Sequence, residues 1–135
     1  MTNSCVMLIE ADLLIRTPLA QYLRDCGFQV VEAFGAAEAR DILASTGVRV
    51  DTILMDADAP EENGFMFKVW VRANHPGIAM ILAGSIERTA EKAGELCEEG
   101  PAVSRPYDHK LVLQEIRRRL ATRNGNRDDP QNSGE

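Results

Sequence analysis

The sequence predicts an α/β domain, a (βα)5 doubly wound, three-layer sandwich with helices on both faces of a five-stranded parallel sheet. Three observations predict it. Short apolar runs recur along the chain without the alternation of a half-exposed strand, as strands buried on both faces require. Each run is followed by a stretch whose apolar residues fall at helical spacing. The connections are brief and built from acids, glycine, asparagine and proline, so consecutive strands are joined by right-handed crossovers.

The first strand is 5–9, where Cys5, Val6, Met7, Leu8 and Ile9 run without a polar residue up to Glu10. Residues 13–26 place Leu13, Leu19, Leu23 and Cys26 near one side of a helix, and Gly27 ends it. Pro18 leaves two readings of its start. Either Thr17 caps a helix with Pro18 in the first turn, or the helix begins earlier and carries the proline inside. Residues 28–33 form the second strand, and 36–45 a helix with Ile42 and Leu43 among alanines. The third strand is 50–55, followed by the loop Asp56, Ala57, Asp58, Ala59, Pro60. Asn63 and Gly64 lead into a helix over 65–73, in which Phe65, Val69 and Arg72 or Ala73 share a face and Trp70 packs on a neighbour. After a turn at 74–77 comes a fourth strand, 78–83, and then a polar helix over 87–98 with a small apolar stripe of Ala90, Ala93 and Leu96 or Cys97. A very short fifth strand, 102–104, precedes a last helix that Asp108 caps and that runs to Leu120, with Leu111, Ile116 and Leu120 as packing residues.

At 135 residues the chain suits one compact domain, 1–121, and a flexible C-terminal tail, 122–135, that has no large hydrophobe. Fifteen Lys and Arg against 21 Asp and Glu give a net charge of −6, which argues against a surface for nucleic acid. Arg117, Arg118 and Arg119 suit the negative end of the last helix. Cys5, Cys26 and Cys97, with only His75 and His109, suggest neither a disulfide framework nor a zinc site. No apolar stretch approaches the roughly 20 residues of a membrane span, and no basic, apolar leader opens the chain, so a cytoplasmic location is expected. A GxxxxGK phosphate loop is absent from the sequence.

In an open parallel sheet the residues just beyond neighbouring strands meet at one rim, which brings Glu10 and Asp12 toward Asp56 and Asp58. Paired carboxylates can hold a hard cation such as magnesium, and an aspartate oxygen can attack phosphorus to give an acyl phosphate. Acids also suit solvated loops, so both readings stand at this point.

The ordered set LIEAD at 8–12, ILMDADAPEENG at 53–64, MILAGS at 80–85 and SRPYD at 104–108 resembles the receiver domain of bacterial two-component response regulators, over about residues 5–121. The resemblance implies a flavodoxin-like sandwich that acts as a relay and is not an enzyme. It implies that Asp56 accepts phosphate from a histidine kinase or histidine phosphotransfer protein. It also implies Mg2+ at Glu10, Asp56 and the backbone carbonyl of Asp58, with Asp12 as a further candidate. Arg105 stands in place of the family's lysine, Ala83 and Gly84 flank the phosphate position, and Tyr107 lies at the rim as an interaction residue. The chain departs from the pattern at Ala11 for the second acid, Ala83 for a Thr or Ser, and Ala102 for an aromatic residue. Ser85 lies two positions beyond the missing hydroxyl. The signal is expected to pass to a downstream protein or a homodimer, through the final helix and strand, with no direct nucleic acid and no membrane. The alternative function is a phosphorylation-independent receiver-like protein-interaction module.

Overall fold

Every residue of the strands β1 (Cys5–Ile9) and β3 (Thr52–Asp56) is buried, which is why neither sequence alternates. The computed structural model describes residues 4–45, 47–59, 61–85, 103–105 and 107–128. Besides β1 and β3 it contains α1 (Leu13–Asp25), β2 (Gln29–Ala33), α2 (Ala36–Ala44), α3 (Gly64–Asn74), β4 (Ala79–Ser85), β5 (Val103–Arg105) and α4 (His109–Asp128). All strand pairs are parallel, in the order β2-β1-β3-β4-β5.

The (βα)5 expectation requires correction. The described residues carry four helices, not five; the expected helix over 87–98 lies outside them. Four strands of five to seven residues form the body of the sheet, and β5 is a three-residue segment along the edge of β4. A segment that short adds few ladder bonds to the sheet.

Side chains alternate across the sheet and build a core on each face. Met7, Ile9, Ile53 and Met55 meet Ala36 and Ala39 of α2 and Phe67 and Val71 of α3. Val6, Leu8, Leu54 and Ile81 meet Leu19 and Leu23 of α1 and Val112, Ile116 and Leu120 of α4.

Local chemistry sets the element ends. Asp12 caps α1 by accepting from the Leu14 amide at 2.9 Å, so the earlier of the two starts holds and Pro18 lies inside the helix. Gly27, at φ +102, turns the chain beyond it. Asn63 caps α3 through the Met66 amide at 2.9 Å. Asp56, expected as the first loop residue, is instead the last residue of β3. The final helix is assigned through Asp128, past the end expected at Leu120.

Three residues read from helical spacing sit differently. Leu13 and Leu111 are exposed, because Leu19 and Leu23 in α1 and Val112, Ile116 and Leu120 in α4 set the inward faces. Val69 is exposed, since Phe67 and Val71 face the sheet, while Phe65, expected on the same face, is half-buried against that core. Trp70 stacks on Phe67 at 5.5 Å, with the Arg40 guanidinium 4.8 Å from its ring centroid. Among the described residues, no helix is long and apolar enough to cross a membrane.

Candidate functional site

Glu10 follows β1 and Asp56 ends β3, and these strands are neighbours in register with Ile9 opposite Met55. One step further along, Glu10 and Asp56 stand side by side at the carboxyl rim of the sheet. Both are buried, at 2% and 6% exposure, and a buried charge is tolerated only with hydrogen-bond partners. Glu10 has them. Its Oε2 accepts from the Asp12 amide at 3.0 Å and its Oε1 from the Tyr107 hydroxyl at 3.3 Å. The backbone is held as well: the Glu10 amide donates to the Ala33 carbonyl at 3.0 Å, and its own carbonyl accepts from Arg16 Nη1 at 2.7 Å.

Asp56 is fixed by the turn that follows it. Its Oδ1 accepts from the Asp58 amide at 2.9 Å, and its carbonyl accepts from the Ala59 amide at 3.1 Å. The next residue, Ala57, donates to the Ala83 carbonyl of β4 and accepts from the Gly64 amide at the start of α3, at 2.8 Å. A Cβ on Gly64 would lie 2.7 Å from Leu82 Cδ2 and 3.0 Å from Ala57 Cα, so only glycine lets α3 begin this close to the rim.

The structure therefore brings together Glu10, Asp56, Ala83 and Tyr107. Ala83 is the register partner of Asp56, is fully buried, and presents a methyl group there. Gly84, the next residue of β4, is buried and pairs with Ser104. Asp12 is at the rim, but its carboxylate is exposed and bonded to the first turn of α1. The Asp58 side chain is exposed, while its amide serves Asp56. The Arg105 backbone lies opposite Ser85 in β5; the side chains of both, and Ala102, fall outside the described residues. Among the described residues, no group of three His, Cys, Asp or Glu side chains is arranged to hold a metal ion.

Sequence reasoning missed Arg16. It braces Glu10 from α1 and reaches Glu32 of β2 through Nε at 2.8 Å, where Arg24 also bonds the same carboxylate at 3.2 Å. Its signal was a cation one helical turn beyond an acidic strand end. A cavity of about 320 Å³ lined by Leu43, Val48, Arg49, Val50, Asp51, His75, Gly77 and Ile78 opens at the opposite end of the sheet, remote from Glu10 and Asp56.

No family model matches the chain, and no curated protein does. Solved structures do. The signal receiver domain of an HD domain-containing protein from Pseudomonas fluorescens Pf-5 superposes with a TM-score of 0.77 at 21% identity, covering 92% of this chain and 99% of that one. A CheY-like response regulator receiver domain protein from Methanospirillum hungatei JF-1 gives 0.74 at 18% identity, over 92% and 98% of the two chains. A response regulator receiver domain protein from Clostridium thermocellum gives 0.75 at 15% identity, over 90% and 97%. The strand order, the acidic rim and these superpositions together give the chain a CheY-like receiver-domain fold.

Proposed function

We propose that the chain is a receiver-fold interaction module of two-component signalling, working in the cytoplasm and relaying through protein contacts without phosphoryl transfer to Asp56. The observation that carries this reading is the set of groups around Asp56. Ala11 offers a methyl where the resemblance implies a second carboxylate, and the nearest substitute, Asp12, is bonded to the Leu14 amide at 2.9 Å. On the other flank Ala83 offers a methyl where a hydroxyl would bond phosphate. A phosphoryl group brings about −2 of charge and needs donors or a cation to offset it. Glu10 and Asp56 already accept from Asp12, Tyr107 and Asp58. These donors fit a hydrogen-bonded rim rather than the family's ion, and the signalling proposed involves no magnesium. The partners are proteins that dock on this surface: a histidine kinase, a histidine phosphotransfer protein or a downstream protein.

One observation favours the second reading, in which Asp56 accepts phosphate. Its carboxylate lies at the end of a central strand, oriented by the Asp58 amide as a nucleophile needs to be. Magnesium titration of the 15N-labelled chain separates the two. The first reading expects the Ala57 and Asp58 amides to stay unmoved up to about 10 mM magnesium, an ion that binds through carboxylate oxygens. Saturable shifts at these amides, lost in Asp56→Asn, would move the assignment to the second.

A further inference from the structure

Arg16 lies 2.8 Å from Glu32 and Arg40 lies 2.7 Å from Glu62, both at hydrogen-bond distance. Arg49 differs. Its Nε stands 3.7 Å from Asp51 Oδ1, beyond hydrogen-bond distance, and its side chain is 76% exposed. A solvent-exposed pair of this kind contributes little, so the guanidinium can change partners readily.

Both charges line the cavity of about 320 Å³ at the amino-terminal end of the sheet, which also takes in Leu43 near the end of α2 and Ile78 just ahead of β4. Asp51 is buried, and its Oδ2 is fixed by the Cys5 amide at 2.9 Å. Leu43, Val48 and Ile78 pack on the core but are only partly covered by it, which leaves apolar surface to the cavity. A carboxylate, a guanidinium and an aliphatic wall in one cavity ask for an occupant with three matching parts. An amine alone would bring a second cation against Arg49, and a carboxylate alone a second anion against Asp51. A zwitterion meets both. The volume is at the lower end of the roughly 300–1,000 Å³ of ligand sites, so the occupant is small.

We propose that this cavity binds a small aliphatic α-amino acid, with its ammonium on Asp51 Oδ1, its carboxylate on the Arg49 guanidinium and its side chain against Leu43, Val48 and Ile78. A ligand of this size, with its charges held close to water, binds weakly, at a dissociation constant of about 1 mM. The site lies at the other end of the sheet from Glu10 and Asp56, and Asp56→Asn leaves it intact.

Titration of the 15N-labelled full chain with L-leucine, up to about 20 mM, tests the site over the range in which so weak a ligand saturates. The Cys5, Asp51 and Gly77 amides should shift saturably with a midpoint of about 1 mM, while Ala57 and Asp58 at the rim stay unmoved. Leucine stripped of its carboxylate, 3-methylbutylamine, should bind at least about tenfold more weakly, as should 4-methylpentanoate, which lacks the ammonium, and glycine, which lacks the side chain. Arg49→Gln should weaken leucine binding at least about tenfold with an unchanged thermal melt, since Arg49 is exposed. Arg117→Gln, at an exposed arginine of α4, should leave binding unchanged. Absence of saturable shifts across the range would overturn the proposal. So would binding of the amine, the carboxylate or glycine as tight as that of leucine, indifference to Arg49→Gln, or loss of binding in Arg117→Gln.

Discussion

A Cβ on Gly64 would meet two backbone atoms, Ala57 Cα at 3.0 Å and the Asp56 carbonyl oxygen at 3.2 Å, as well as the Leu82 side chain. Leucine can turn, but the backbone around Asp56 is fixed by the sheet and the following turn. Gly64→Ala is therefore predicted to cost about 1–3 kcal/mol, read as a lower urea midpoint at unchanged slope. Tyr107→Phe removes the hydroxyl from Glu10 Oε1 while Asp12 still serves Oε2, so a smaller loss of about 1 kcal/mol is expected in the same assay. These two residues also show how far single positions can be read from sequence. Glu10 and Asp56 were legible because both directly follow or end apolar runs. The hydrogen bond from Tyr107 to Glu10 spans 97 positions and exists only once the sheet is assembled. Asp12 was read as a metal candidate, and an aspartate just ahead of a helical run is also a capping signal, the role its Oδ1 takes here.

Glu115 sets an element-scale behaviour in α4. Burial alone would raise its carboxyl, but hydrogen bonds from Arg118 and Arg119 outweigh that and hold it below its ordinary 4.5. A group depressed on folding stabilises the native state above its unfolded value, and that stability is lost as pH falls through the folded value. Thermal melts from pH 6 downward should therefore show Glu115→Gln losing less stability than the parent below about pH 4.5. Continuous runs announced the buried strands, and the caps at Asp12 and Asn63 fixed two helix starts. The faces were harder to read. In α3 apolar residues fall at helical spacing on both sides, and Arg72, beside Val69, is what marks the outer one. In α4 the inward set is Val112, Ile116 and Leu120, and Leu111 lies one position off it.

At the scale of the whole molecule, the strand order places β1 beside β3 and makes neighbours of two acids far apart in sequence. That order follows from general rules for parallel sheets, which is why the rim could be anticipated. The surroundings of Asp56 decide what the rim does. Methyl groups at Ala11 and Ala83, and an Asp12 that caps α1, leave a receiver-shaped scaffold, for which we propose signalling through protein contacts. Intact-protein mass spectrometry after incubation with magnesium and acetyl phosphate tests this most directly, with a competent receiver as positive control and Asp56→Asn alongside. The predicted result is an unchanged mass. A gain of about 80 Da that disappears in Asp56→Asn would mean that Asp56 forms the acyl phosphate, and would contradict the account.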